Sequence, residues 1–185
     1  VIPLVDVNNK IWSLQFVTQN GQKYFLRESK KKGLFHVLGD ISSNILYICE
    51  GFATGATIHQ VTNQCVIVAF DANNLIAVSK ELRNKFSSKE IIICADNDQF
   101  TASNPGIAKA KEAAKLVNAQ VVFPEFKSTV TQPTDFNDLF QLEGTEEVRK
   151  QLEVKLEIID EIDCPSGFRV SDDGVFYILL DEEGE

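Results

Sequence analysis

The sequence lacks methionine altogether, and it has no Cys-x-x-Cys, no Gly-Lys dipeptide and no Gly-x-Gly-x-x-Gly. Each absence removes a class of function. Without Gly-Lys there is no P-loop, and without the glycine fingerprint there is no dinucleotide-binding turn. Cys49, Cys65, Cys94 and Cys164 form no short ligand spacing with one another or with His36 and His59, so no zinc site is expected. No apolar run approaches the ~18 residues of a membrane helix, and no signal-peptide pattern opens the chain, so no membrane partner is expected. The missing methionine leads us to expect a processed or excised piece of a longer protein.

What is present is the composition of a globular chain: 185 residues, 44% hydrophobic and 24% charged, enough for one α/β domain with small attachments. The net charge of −9 is unevenly spread. Residues 1–40 carry six Lys/Arg against three Asp/Glu, whereas residues 145–185 carry four against thirteen. The front of the chain is therefore mildly basic and its end strongly acidic. Cys49 and Cys94 close the apolar runs Leu46–Cys49 and Ile91–Cys94 and read as buried, reduced thiols, which fits a cytoplasmic compartment. His36 alternates with apolar neighbours, which fits a solvent-facing strand position better than a catalytic one.

The pattern along the chain divides it into four parts. In 1–40, Ile11–Val17 and Lys23–Arg27 flank Asn20-Gly21, a hairpin signal, and a further strand follows Lys30-Lys31-Lys32-Gly33, giving a small antiparallel unit. In 41–144, uninterrupted β-branched runs at 45–49, 65–70, 90–95 and 120–123 alternate with helical patterns at 52–63, 73–86 and 105–117. Such runs predict a parallel sheet with helices on both faces. Asn104-Pro105 marks the start of the third helix. A short helix follows Thr134-Asp135, and another over 145–156 takes Thr145 as its cap. Residues 145–163 read as this helix plus an acidic linker, and 164–185 as a β-hairpin beginning a following domain.

In a parallel sheet, ligands gather beyond the carboxyl ends of the strands. There the chain places Glu50-Gly51, Asp71 and Asp96-Asn97-Asp98, with Asp135 and Asp138 returning towards the same edge. Carboxylates gathered there repel one another unless a cation joins them, and hard oxygen donors suit Mg²⁺ or Mn²⁺. Each has an ordinary alternative. Asp71 fits a helix cap better than a ligand, Asp138 serves equally as a surface charge, and an Asp-x-Asp alone often caps a helix. The joint placement of Glu50 with Asp96 and Asp98 is the more specific signal.

Leu46-Tyr47-Ile48-Cys49-Glu50-Gly51-Phe52-Ala53-Thr54 and Ile92-Ile93-Cys94-Ala95-Asp96-Asn97-Asp98 together resemble the Toprim domain, shared by bacterial-type primases, topoisomerases and certain nucleases. Ala69–Leu75, Asn104-Pro105-Gly106, Thr134–Leu139 and the front stretch Gly21–Leu26 with Lys32-Gly33 are similar to primase segments of phage- and plasmid-type primase–helicases. The resemblance implies a Toprim-like fold and metal-dependent nucleotidyl transfer that makes primers for phage or plasmid DNA replication. It implies Glu50 in acid–base chemistry or metal binding, Asp96 and Asp98 as the metal pair, and Asp135 as a further acidic ligand. Its cofactor is Mg²⁺ or Mn²⁺. Its partners are a single-stranded DNA template, nucleoside triphosphates and a helicase domain on the same longer chain. Lys23, Arg27, Lys30, Lys31 and Lys32 are candidates for nucleotide or template phosphates. One position departs from the bacterial primase pattern, where an acid stands four residues after the glutamate and this chain has Thr54. Two other readings stay open: a Toprim-type nuclease, and a non-catalytic module that docks DNA or a helicase. A topoisomerase would need its nucleophile elsewhere, since Tyr24, Tyr47 and Tyr177 have no evident nucleophile context.

Overall fold

A computed structural model describes residues 1–153 and the short strands 168–170 and 176–178. The first 153 residues form one unit and residues 154–185 a second. In the second unit, Phe168–Val170 pairs antiparallel with Phe176–Ile178, Phe176 opposite Val170. The part of the expected helix and acidic linker (145–163) beyond residue 153, the stretch Cys164–Gly167 and the turn at Asp172–Gly174 lie outside the described residues.

The first unit holds two sheets. A front sheet has the order β1-β2-β3, with β1 Ile2–Val5, β2 Ile11–Val17 and β3 Lys23–Phe25. The Asn20-Gly21 hairpin forms as expected, with Phe16 opposite Tyr24. Strand β1 has no hairpin signal and contains Pro3, which suits an edge. Ile2, Leu4, Ser13 and Gln15 turn to its buried face.

The main sheet has the order β4-β6-β5-β7-β8, built from β4 His36–Leu38, β5 Ile45–Cys49, β6 Cys65–Val68, β7 Glu90–Cys94 and β8 Gln120–Val122. Strands β5 to β8 run parallel. Strand β4 differs from the sequence expectation: instead of extending the front unit it lies antiparallel on β6, with Val37 opposite Ile67. Burial explains this. Leu34 and Phe35 are core residues, and the edge of β6 would otherwise expose unpaired backbone. The front sheet still meets this segment, because the amide of Val5 donates to Phe35 O at 2.8 Å.

The strands β5 and β7 are buried at nearly every position, which is why their sequences run apolar without alternation. Leu46, Ile48, Ile67, Ile91 and Ile93 pack with Leu75, Val78 and Leu82 of α2 (Ala72–Lys85) and with Ala110 and Ala113 of α3 (Pro105–Val117). The opposite face carries Cys49 and Val68 against α1 (Phe52–Thr62). A Cβ at Gly55 would lie 2.8 Å from Val68 Cγ2 and 3.1 Å from Cys49 Sγ, so this helix sits close only because the residue is glycine. Helices α4 (Phe136–Glu143) and α5 (Thr145–Leu152) cover α1. Thr145 is not the cap of α5. Gly144 holds that place at φ 85°, with no side-chain cap bond, because the short α4–α5 joint requires a left-handed residue. No described helix is long and apolar enough to cross a membrane.

Candidate active site

Parallel pairing sets Cys49 opposite Cys94, so Glu50 and Asp96 emerge on neighbouring strand ends at one edge of the sheet. The order of the sheet brings Asp71, after β6, to the same edge on the other side of β5. Burial then acts on these acids. It drives the Glu50 carboxyl up to about 7, with Asp98 and Asp71 adding repulsion and the Ala72 amide offsetting part of the rise. It drives Asp96 up to about 8, reinforced by Glu50, Asp135 and Asp98 and partly relieved by Lys23. Glu50 Oε1 and Asp96 Oδ1 are both buried without a hydrogen-bond partner. Two buried carboxylate oxygens left bare in this way are costly unless protonated or paired with a cation.

Asp98 is held differently. Its Oδ2 accepts from the amide of Gly106 at 2.9 Å, and its own amide donates to Asn104 Oδ1 at 2.9 Å. The carboxylate thus sits on the first turn of α3, where the helix dipole favours negative charge. A Cβ at Gly106 would come within 2.3 Å of Asp96 O and 3.0 Å of Asp98 Oδ2, so the helix starts in contact with the acidic loop. Asn97 fastens that loop from below. It donates through Nδ2 to Pro124 O at 2.9 Å, accepts from Asn104 Nδ2 at 2.8 Å, and its amide donates to Thr134 O at 2.7 Å.

Asp135 is a fastener as much as a ligand candidate. Its Oδ1 accepts from the Asp138 amide at 2.8 Å, closing a capping box on α4, and its Oδ2 accepts from Thr54 Oγ1 at 2.7 Å. The departure at Thr54 therefore has a structural counterpart: a buried hydroxyl that joins α1 to α4, repeated one turn on by Thr57 and Asn137 at 3.0 Å. Asp138 is the other half of the box, its Oδ2 accepting from the Asp135 amide at 3.4 Å and also from the Thr134 amide at 2.8 Å. Asp71 caps α2 through the Asn74 amide at 3.0 Å and also pairs with Lys31.

Of the predicted cations, Lys23 and Lys31 reach this edge. The field of Lys23 is felt at Asp96. Lys31 pairs with Asp71 and lies 5.0 Å over the Phe25 ring, which meets Phe70 edge-on at 5.8 Å. Phe70 stands at φ 72°, a strained conformation for a bulky side chain, at the bend that carries the chain from β6 to Asp71. Lys30 and Lys32 line a hollow on the outer surface of α2, Lys32 also bordering the hollow of Asp71 and Lys30 Nζ lying 5.8 Å from the Trp12 ring, and Arg27 is exposed with no ion pair among the described residues. His36 is half-buried, with Nδ1 3.1 Å from Pro3 O, and burial lowers its pKa. It takes no part in the acidic edge. Asn74 and Asn97 were not anticipated as supports. The stretch Ala69–Leu75 carries a likeness in sequence, but an amide that bonds distant backbone carbonyls leaves no spacing to read.

The donor set fits a hard divalent cation. It offers carboxylate oxygens only, two of them buried and bare. No three carboxylate, histidine or cysteine groups among the described residues stand at full ligand spacing. Mg²⁺ and Mn²⁺ take one or two carboxylates and complete their shell from water and phosphate.

A family model described as the Toprim domain matches residues 45–146, more than half of the chain. Two Escherichia coli proteins named DNA primase TraC are 40% and 38% identical to it over 133 residues, 68% of this chain. The matched stretch spans only 12% and 9% of those relatives. Among solved structures, the primase fragment of the bacteriophage T7 primase-helicase protein superposes with a TM-score of 0.61 at 16% identity, covering 82% of this chain and 62% of that one. The RNA polymerase domain of Mycobacterium tuberculosis primase DnaG does so with 0.54 at 15%, covering 80% and 52%. These two likenesses carry the fold. The family match spans both acidic strand ends and the loop of Asp135, and the chain belongs to the Toprim domain family, its matched relatives being DNA primases.

Proposed function

We propose that the chain is the catalytic core of a DNA primase, joining nucleotides into primers on a single-stranded template in phage or plasmid replication. The observation that carries this reading is the pair of buried carboxylate oxygens, Glu50 Oε1 and Asp96 Oδ1, both bare and just beyond the ends of two neighbouring strands. The identity to the two TraC primases supports the same reading.

Asp96 and Asp98 would hold the ion, with Glu50 beside them and Asp135 behind. Bound there, Mg²⁺ or Mn²⁺ supplies the positive charge that neutralises nucleotide phosphates and the charge developing in transfer. The protein's own groups do the rest. Glu50, whose carboxyl is poised near 7, can take or give a proton at Oε1 at ordinary pH. The first turn of α3 fixes Asp98, and Thr54 fixes Asp135, so the acids are positioned before substrate arrives. Lys23, whose charge acts on Asp96, would meet the triphosphate. A helicase portion on the same full-length chain and a cytoplasmic site of action complete the proposal.

The test is templated primer synthesis by the full-length protein with Mg²⁺ or Mn²⁺. Asp96→Ala is expected to lower synthesis by about 100-fold or more, and Glu50→Gln by a similar order. Undiminished synthesis in both variants overturns the assignment. Metal-dependent nicking of plasmid DNA, lost with Glu50→Gln, would replace synthesis by cleavage.

A further inference from the structure

The lysine loop Lys30–Gly33 crosses an outward face of α2 and encloses with it a trough of about 600 Å³, lined by Lys30, Lys32, Asn73, Ile76, Lys80 and Glu81 among others. The positions 73, 76, 77 and 80 recur at helical spacing and form one face of α2, opposite the buried Leu75, Val78 and Leu82. A second hollow of about 370 Å³ shares Lys32 and Asn73 with the first and continues to Lys31, Asn74 and Asp71. The two together run from the acidic edge out along α2.

Charge sets what this track accepts. Lys31 is neutralised by Asp71, but Lys30, Lys32 and Lys80 have no ion pair among the described residues. Among the lining residues, Glu81 is the one acid of the first hollow, and Asp71, already paired with Lys31, the one acid of the second. The loop is also built to stay in place. Asn74, 4% exposed, accepts from the Gly33 amide at 2.7 Å and donates to Leu34 O at 2.9 Å and Lys31 O at 3.4 Å. Gly33 takes φ 75°, so the turn that presents these lysines suits glycine. A buried amide spent on fixing a lysine-rich loop against a helix bearing a further lysine gathers like charges that repel each other. A polyanion relieves that repulsion.

We propose that this track along α2 carries the phosphodiester backbone of the single-stranded template, with Lys80 and Asn73 as contacts beyond the lysine loop. This rests on the primase reading and sharpens it, since it assigns Lys30 and Lys32 to the strand rather than to the incoming triphosphate. Two adjoining open hollows lined by Lys30, Lys31, Lys32 and Lys80 suit successive phosphates, whereas a triphosphate needs its charges converging at the acidic edge.

The experiment measures binding of a fluorescent oligodeoxythymidylate to the protein by anisotropy, in EDTA and across a salt series. Lys80→Glu and Lys32→Glu are expected to weaken binding roughly five-fold or more, and Lys80→Ala to flatten the logarithmic salt dependence by about 0.7. Lys109→Ala, on α3 and paired with Glu112, serves as the control and leaves affinity unchanged. Unaltered affinity and salt slope in the Lys80 variants, with unchanged thermal transitions, overturns the track. A raised KM for nucleoside triphosphate with unaltered oligonucleotide binding overturns it in favour of a triphosphate site. Because EDTA removes the metal, this readout is separate from primer synthesis: strand binding without synthesis sinks the primase reading alone.

Discussion

Asp96 shows how a residue proposed to hold the ion can be costly to the fold. Its carboxyl titrates near 8 in the folded chain against about 4 when unfolded. A folded-state pKa raised in this way gives stability that is fully present below about pH 4 and is lost as the pH rises through 7 to 8, the range set by Glu50 and Asp96. Asp96→Asn is therefore expected to stabilise the metal-free protein at pH 8.5 by on the order of 2 kcal/mol, or roughly 4–8 °C in the midpoint of melting. Near pH 4 the gain should vanish. Melting curves at the two pH values, with and without Mn²⁺, check this, and Mn²⁺ should raise the midpoint of the natural sequence alone. The same acids were the most legible residues in the sequence, because an acid directly after an apolar run needs only the strand to be recognised. Asp135 was placed at the right edge, yet both of its oxygens already serve the protein, a fact that no spacing reveals.

Among the elements, α3 was readable to its ends from Asn104-Pro105, since capping chemistry is local. Strand β4 was seen as a strand but assigned to the wrong sheet, because pairing partners are decided by burial of Leu34 and Phe35 against the main core. Thr145 looked like a cap, and the tight joint gave the position to Gly144. Helix α1 carries a polar seam to α4 that has no sequence signature. Thr54 is 1% exposed, so Thr54→Val leaves Asp135 Oδ2 with a lost partner. That substitution is expected to cost about 1–3 kcal/mol in urea unfolding, while Thr54→Ser, which keeps the hydroxyl, should cost less. Mn²⁺ affinity measured on both variants would show whether the seam also steadies the acidic edge.

At the scale of the molecule, the front sheet and the main sheet share a core through Val5 and Phe35. Trp12, the sole tryptophan, lies on β2 of the front sheet, so its fluorescence reports that sheet alone, whereas far-UV circular dichroism reports the helices around the main one. The two unfolding curves are expected to coincide. Phe35→Ala should shift both together by about 3–5 kcal/mol; separate transitions would make the front sheet an independent domain. The whole-chain charge of −9 then says little about a nucleic-acid partner, because the exposed lysines of the front loop and α2 act locally. The register of β5 on β7 has a consequence for descent. The distance between Glu50 and Asp96 is fixed by the hydrogen-bond ladder that sets Cys49 beside Cys94, whatever length of chain lies between. Helices α1 and α2 can lengthen or shorten by a turn across lineages without moving the acids, whereas a single inserted residue inside either strand would separate them.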